Sequence, residues 1–125
     1  MKIFTIDEAN ELLPKIVRPL EKIKSLYAQI DMLRDSARAA AEGAKMGGGG
    51  TTFGAGYVNS LVEVGRLTTE INDLGVQIKD YSRGLIDFPT MRGDRLVLLC
   101  WQIGEEPVLE WWHEIDGGFA GRQRL

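Results

Sequence analysis

The feature that most constrains this chain is a change in the spacing of its apolar residues near position 75. Before it, apolar side chains recur every three or four residues, which is the period of an α-helix. After it, apolar and polar residues alternate or form short apolar runs, as they do in β-strands. The sequence therefore predicts an α+β fold, with a helical hairpin packed on one face of an antiparallel sheet.

The helical region is predicted over 6–46. Thr5 and Glu8 have the spacing of a capping box, in which each residue satisfies a free amide of the other. Pro14 and Pro19 lack the amide hydrogen that a helix interior needs, so we expect a short helix over 6–13, a kink, and then a long helix. The long helix carries a coiled-coil-like apolar stripe formed by Ile16, Leu20, Ile23, Tyr27, Ile30 and Ala37.

A glycine-rich segment over 47–56 follows, and it is predicted to be a flexible loop. The next helix is predicted over 57–74, and its stripe should face the first helix, making an antiparallel hairpin. Helix propensity alone would allow this helix to reach Ser82, but the alternation over 76–79 favours an end at Leu74. The predicted stripe consists of Val58, Leu61, Val64, Thr68, Ile71 and Leu74.

The remainder, 76–125, is predicted to be a β-meander of three or four strands followed by a tail. Strands are expected over 76–79, 85–88, 95–101 and 108–113, with turn-forming residues between them. The whole chain, 1–125, is predicted to be a single domain, as its length allows.

The strand over 95–101 is apolar on both faces, whereas a two-helix layer covers only one face of a sheet. The second face should be covered by the N-terminal helix, by the C-terminal tail or by another subunit. We take Leu99 to lie on this second face, which makes Leu99→Lys a test of a subunit interface there.

Composition narrows the classes of function. The formal net charge of −3 argues against nucleic acid as a partner, and no apolar run reaches the roughly 20 residues of a membrane span. A single cysteine excludes an internal disulfide and is typical of a reducing compartment, so we expect a cytoplasmic location.

Candidate sites are few, and the sequence predicts no catalytic residue, no cofactor and no metal ligand outright. The glycine-rich segment has no following lysine, so a phosphate-binding loop is disfavoured, and Cys100 lies in an apolar run typical of a core cysteine. His113 is the only histidine, and it could be structural or, with nearby carboxylates, could bind a divalent ion. The candidate polar cluster comprises His113, Asp116, Arg122, Glu110 and Asp87.

Within this cluster, Asp116 is expected to contact His113, and Arg122 is expected to pair with Asp87 or Asp116. The glycines after Asp116 would let the tail fold back, so that Phe119 covers apolar surface of the sheet. The rival interpretation is that the tail captures an anion or a carboxylate of a partner.

Four motifs resemble one small, mainly bacterial family, the domain of unknown function 2203. The resemblance spans almost the whole chain and implies no established activity, substrate or cofactor. The glycine-rich segment is the part that does not match the family pattern. The motifs are Phe4-Thr5-x-x-Glu8-Ala9-Asn10-x-Leu12-Leu13-Pro14, Gly84-Leu85-Ile86-Asp87-Phe88-Pro89, Leu99-Cys100-Trp101-x-x-Gly104-Glu105 and Trp112-His113-x-x-Asp116-x-Gly118-Phe119-Ala120-Gly121-Arg122.

Two functions are consistent with these observations. The first is a non-enzymatic protein-interaction or structural module that acts as a homo-oligomer, most simply a dimer. The second is a protein that binds a small molecule or a divalent metal, conceivably an enzyme, at a site around His113, Asp116, Glu110 and Arg122.

Overall fold

A computed structural model of the chain describes residues 1–44 and 51–125. It has two helices followed by a five-stranded antiparallel sheet, so the predicted α+β class is confirmed. A short 3₁₀ turn, Phe119–Gly121, interrupts the tail. The elements are α1 (Ile6–Ala44), α2 (Thr51–Asp73), β1 (Gln77–Asp80), β2 (Leu85–Arg92), β3 (Arg95–Gln102), β4 (Trp111–His113) and β5 (Gln123–Arg124).

The capping box at the start of α1 is confirmed. The amide of Thr5 donates to Oε1 of Glu8 over 2.9 Å, and the amide of Glu8 donates to Oγ1 of Thr5 over 3.0 Å. These bonds satisfy two amides that a helix start leaves free, and they hold the pKa of Glu8 below its ordinary value.

The predicted division into a short helix over 6–13 and a separate long helix is wrong, because α1 runs through both Pro14 and Pro19 as one continuous helix. Proline in a helix interior costs about 3 kcal/mol, so something must offset it. The offset is the packing of one buried stripe that continues on both sides of the prolines, and Pro14 itself is exposed. Full burial of each large stripe residue contributes roughly 1.5–3 kcal/mol. The stripe residues are Leu13, Ile16, Leu20 and Ile23, each at most 1% exposed.

Helix α2 begins at Thr51, so the prediction of a loop over 47–56 is wrong for residues 51–56, while 47–50 lie outside the described residues. Gly56 faces α1, since a Cβ placed on it would lie 4.0 Å from Cδ1 of Leu33. Further along, Lys22 pairs with Glu63 at 3.8 Å, so the two helices run antiparallel as predicted. The glycine-containing start of α2 therefore lies alongside α1.

The end of α2 agrees with the predicted end to within one residue, and the longer alternative to Ser82 is wrong. Gly75 has a φ of +93°, the conformation that glycine adopts most easily after a helix. Its amide donates to the carbonyl of Asn72 over 2.9 Å, which closes the last turn.

The phase of the α2 stripe differs from the prediction. Ser60, Leu67 and Ile71 are buried, whereas Val58 and Leu61 are 54% and 43% exposed. The small residue Ser60 therefore lies on the side of α2 that faces α1, where the pattern predicts the larger apolar residues Val58 and Leu61. The hairpin interface is therefore narrower than predicted, and apolar residues are left on the outer side of α2.

In the sheet, each strand pairs with its sequence neighbours, in the order β1-β2-β3-β4-β5. Strand β2 continues through Pro89, beyond its predicted end, because β1 pairs only with its first part and leaves an open edge at the proline. At that edge the amide of Phe4 donates to the carbonyl of Pro89 over 2.7 Å.

The last strands also differ from the prediction. Strand β4 begins at Trp111 rather than at 108, because the amide of Leu109 is bound by Oδ1 of Asn10 instead of by a neighbouring strand. Strand β5 is only two residues long and was not predicted; its pairing with β4 places the tail along the sheet edge.

The two helices cover one face of the sheet and form the hydrophobic core with it. Leu99 is fully buried on this face, so its assignment to the second face is wrong, and Leu99→Lys would test the core rather than an interface. The core unites α1, α2 and alternate residues of the strands, which are Ile86, Phe88, Val97, Leu99, Trp101 and Trp112.

The second face of the sheet carries Leu85, Asp87, Leu98, Cys100 and His113, all of them buried. The C-terminal tail folds over it, with Ile115 and Phe119 beside these residues. Of the three predicted covers, the tail is the one that the structure shows.

Within residues 1–44 and 51–125, neither helix is both long enough and apolar enough to cross a lipid bilayer.

Candidate functional site

The register of the sheet brings three polar side chains together on the face that the tail covers. Asp87 of β2 lies directly opposite Cys100 of β3. His113 of β4 lies opposite Leu98, two residues from Cys100 on the same face of β3. One ligating atom from each of Asp87, Cys100 and His113 can be chosen so that all three lie within 4.8 Å of one another.

His113 and Asp87 form a buried pair. Nε2 of His113 lies 3.1 Å from both carboxylate oxygens of Asp87, and the two side chains are 3% and 2% exposed. Nδ1 of His113 lies 2.6 Å from the carbonyl oxygen of Glu114, which can only accept, so Nδ1 carries a hydrogen. The contact between Nε2 and Asp87 then requires one further proton, held by either partner.

Burial raises the pKa of Asp87 above its ordinary value, and the neighbouring His113 acts in the opposite direction. Burial, together with the carboxylate of Asp87, also raises the pKa of Cys100 to about 12. The sulfur is therefore a thiol at neutral pH, and it lies close to the carboxylate of Asp87. Since the thiolate is the nucleophilic form, this arrangement does not make Cys100 a nucleophile.

Arg122 lies at the side of this cluster and pairs with Glu105, not with Asp87 or Asp116. Its guanidinium makes two contacts with the Glu105 carboxylate, of 3.0 and 2.8 Å, and Nη1 also lies 4.0 Å from Sγ of Cys100. Burial alone would lower the pKa of Arg122, but the pairing with Glu105 keeps it above its ordinary value. The guanidinium also stacks over Phe119 at 4.1 Å, which fixes the tail against the sheet.

The structure places the other two predicted cluster residues elsewhere. Glu110 pairs with Arg124 at 2.7 Å, on the edge formed by β4 and β5. Asp116 is exposed, and the ion pairs and hydrogen bonds of the described residues do not connect it to His113. Of the five predicted residues, the structure therefore joins His113 with Asp87 and leaves Asp116 and Glu110 outside.

A cavity of about 270 Å³ opens beside the pair. Apolar side chains from the sheet and the tail form much of its wall, and the two polar groups of the pair face it together with Lys79. Its walls include Leu85, Asp87, Leu98, His113, Ile115 and Phe119.

Cys100 is the member of the cluster that the apolar run around it predicts to be a core residue. The signal was present, because Gly93 and Asp94 form the two-residue connection of a hairpin. Counting five residues back from Arg92 and five forward from Arg95 pairs Asp87 with Cys100. No sequence pattern identifies Glu105 as a neighbour of the cluster. Its partner Arg122 lies in the C-terminal tail, and no local pattern predicts the path of that tail.

A second candidate surface lies on the outer side of α2. Val58, Leu61, Val62 and Gly65 share one arc of the helix, opposite Ser60 and Leu67. Next to it, a groove of about 480 Å³ runs between the helices and is lined in part by Tyr27, Ile30, Leu61, Val64, Gly65 and Tyr81.

Comparison with known proteins adds the family to this description. A search of curated proteins finds no match, and neither does a search of solved structures. The model of one family, described as an uncharacterized conserved protein (DUF2203), matches residues 2–125. The match covers α1, α2 and the whole sheet, in agreement with the resemblance carried by the four sequence motifs, and the chain therefore belongs to the DUF2203 family.

Proposed function

We propose that this chain is a non-enzymatic protein-interaction module that forms a homodimer through the outer side of α2. The observation that carries this proposal is the exposed apolar face formed by Val58, Leu61, Val62 and Gly65, which we call the outer α2 face. Val62 is 66% exposed, in addition to the high exposure of Val58 and Leu61.

An exposed cluster of this kind is unfavourable unless it is covered. Burying a valine or leucine side chain contributes roughly 1.5–3 kcal/mol relative to leaving it in water. Neighbouring apolar side chains on one face of a helix, next to an apolar groove, are typical of a surface that binds another helix. The opposite arc of α2 is already used against α1, so a partner would approach from outside the hairpin.

A second copy of this chain fits the outer α2 face. In an antiparallel pairing centred between Leu61 and Val62, each Val58 would meet Gly65 of the second copy. Apart from its chain neighbours and the backbone of its own helix, no described atom lies within 4 Å of the place where a Cβ would stand on Gly65, so a valine has room there. Two hairpins joined in this way would give a four-helix arrangement, which covers apolar stripes more completely than two helices can.

The charges beside this face also suit self-association. Arg66 pairs with Glu63 at 2.6 Å and with Glu70 at 3.6 Å on its own helix. Because acidic and basic groups are interleaved, two copies can approach without a large repulsion between like charges. The single buried cysteine supports placing this dimer in a reducing compartment, the cytoplasm.

The test is the molar mass in solution, measured by sedimentation equilibrium over a range of protein concentrations. We expect the wild type to dimerise and Val62→Glu to be monomeric, because a carboxylate would be buried without a partner. Met32→Glu is the matched control, since Met32 is a similarly exposed apolar residue, 70% exposed, on α1. A monomeric wild type, or a Val62→Glu variant that dimerises as well as Met32→Glu does, would contradict the proposal.

A further inference from the structure

We propose that Asp87, Cys100 and His113 form a binding site for a divalent transition-metal ion of the zinc type. The three side chains come from the adjacent strands β2, β3 and β4, so the sheet itself holds them in place. As whole residues, side chain and backbone together, Asp87, Cys100 and His113 are 1%, 0% and 2% exposed. This site is distinct from the outer α2 face and does not depend on dimer formation.

The geometry of the donors is close to that of a bound ion. Zinc lies about 2.0–2.3 Å from nitrogen, oxygen and sulfur ligands, so ligand atoms around it are separated by about 3.3–3.8 Å. Nε2 of His113 and each oxygen of Asp87 are 3.1 Å apart, and the thiol sulfur lies within the 4.8 Å cluster. Small side-chain movements, without a change in the backbone, would open a tetrahedral position between the three.

The orientation of His113 supports the same conclusion. Its Nδ1–H donates to the carbonyl of Glu114, which leaves Nε2 as the nitrogen directed at Asp87. A histidine that binds a metal through one ring nitrogen almost always donates its other N–H to a carbonyl or a carboxylate, because that bond fixes the ring. The chain thus supplies this outer support in addition to the ligand.

The charges balance when a divalent ion is present. The ion would replace the proton between His113 and Asp87 and the proton of the Cys100 thiol, leaving a neutral imidazole, a carboxylate and a thiolate. One carboxylate and one thiolate neutralise a charge of +2, as a buried site requires. Arg122 lies near the sulfur but is paired with Glu105, so the two together add no net charge. Lys79 also lines the cavity, but it is exposed, so water screens its charge.

The donor set indicates which ions fit. A thiolate and an imidazole favour zinc and its neighbours over magnesium or calcium, which prefer oxygen ligands alone. Three protein ligands leave the fourth position of a tetrahedral ion to a water molecule. The 270 Å³ cavity beside Asp87 and His113 has room for that water.

The chain offers an unusually clean test, because it contains one cysteine and one histidine. Protein without an affinity tag, stripped of metal with a chelator, is titrated with Co²⁺ and followed by absorption spectroscopy. We expect one Co²⁺ per chain, with a sulfur-to-cobalt charge-transfer band and the visible bands of four-coordinate cobalt, both abolished by added Zn²⁺. A thiolate-to-cobalt band can arise only from Cys100, because the chain has no other cysteine.

Cys100→Ser should remove the charge-transfer band and weaken Zn²⁺ binding by more than about 100-fold, which exceeds the roughly 10–100-fold loss on removing a residue that only orients a ligand. His113→Gln should weaken binding to a similar extent, and circular dichroism checks that both variants fold.

Glu110→Gln is the control, since Glu110 pairs with Arg124 outside the cluster. Absence of the sulfur band from wild-type protein at saturating Co²⁺, or equal Zn²⁺ affinity of the wild type and Cys100→Ser, would overturn the proposal. Both of these outcomes can be measured even if His113→Gln does not fold.

Discussion

Oδ1 of Asn10 lies 2.7 Å from the backbone nitrogen of Leu109 and accepts its hydrogen, joining positions 99 residues apart in the chain. The bond fixes the start of α1 to the segment that leads into β4. Leu109 is 5% exposed and belongs to the core, so its amide has little access to water. A single side chain thereby connects the helical layer to the segment that precedes β4.

We expect Asn10→Ala to lower the free energy of unfolding by about 1–2 kcal/mol, because it leaves the Leu109 amide buried without an acceptor. Asn10→Asp keeps an acceptor oxygen at the same place and should lose less. Urea denaturation of the three proteins measures the difference. Equal losses in the two variants would show that the Leu109 amide does not depend on this oxygen.

Gly84 and Gly93 provide a matched pair for separating backbone strain from steric conflict. Their φ angles are +64° and +65°, but a Cβ on Gly84 would collide with the side chain of Ile103, whereas one on Gly93 would meet nothing within 4 Å. Gly93→Ala should cost about 1–2 kcal/mol from its backbone conformation alone. Gly84→Ala should cost about 1–3 kcal/mol more, because Ile103 must move. Thermal or urea unfolding of both variants measures this gap, and equal losses would mean that Ile103 moves aside freely.

The ion pair of Arg122 and Glu105 should be energetically coupled. Both side chains are shielded from water, with exposures of 12% and 21%, and the contact has two points. In a double-mutant cycle with Arg122→Gln and Glu105→Gln, we expect a coupling energy of about 1–2 kcal/mol. Arg122→Lys should not restore stability fully, because an ammonium group lacks the planar fork with which a guanidinium makes two parallel hydrogen bonds to a carboxylate. Strictly additive losses would show that the pair does not hold the tail.

Asp80 should make stability depend on pH at the turn between β1 and β2. Its Oδ1 accepts hydrogen bonds from the Ser82 hydroxyl at 2.8 Å and from the Arg83 amide at 3.0 Å. The Ser82 bond is the main cause that lowers the pKa of Asp80, and the Arg83 amide adds to it. Because the folded-state pKa is depressed, the contribution of Asp80 is present above its ordinary pKa of about 3.9 and is lost as the pH falls through the folded-state value.

The comparison of wild type with Asp80→Ala isolates this effect from other titrating groups. At pH 7 we expect the wild type to be more stable by about 0.5–1 kcal/mol. Below the folded-state pKa the two should unfold at nearly the same urea concentration. If the difference in stability between the two proteins stayed constant down to pH 2, it would come from packing and not from the charge of the Asp80 carboxylate.

The features that could be predicted from the sequence are those that depend on interactions between residues close together in the chain. Thr5 and Glu8 satisfy each other within one turn, and Gly75 ends α2 through its own conformation, so both could be inferred from a few residues. The continuation of α1 through Pro14 and Pro19 could not be predicted in this way. The free energy that each proline costs the helix is offset by contacts between the buried stripe and distant parts of the chain. The phase of α2 was wrong for a related reason: helix packing left Val58 outside and placed Ser60 inside.

The candidate site also has one part that could be predicted from local sequence and one part that could not. Asp87 and Cys100 lie opposite each other as a consequence of a two-residue turn, so counting from the turn would have found them. The contact between His113 and Asp87 depends on side chains that meet across β3, and the tail had no pattern that indicated its path. Asp116, three residues after His113, was the nearer carboxylate in sequence, but the chain turns away and leaves it exposed.

The sequential order of the five strands has a consequence for how fast this protein folds. Every pairing in the sheet joins neighbours along the chain, so each new strand closes only a short loop and loses little chain entropy. Low average separation between contacting residues is associated with rapid folding. The contacts that close the longest loops lie at the beginning of α1, where Phe4 reaches Pro89 and Asn10 reaches Leu109. Docking of the helical hairpin on the preformed meander is accordingly the step that we expect to set the folding rate.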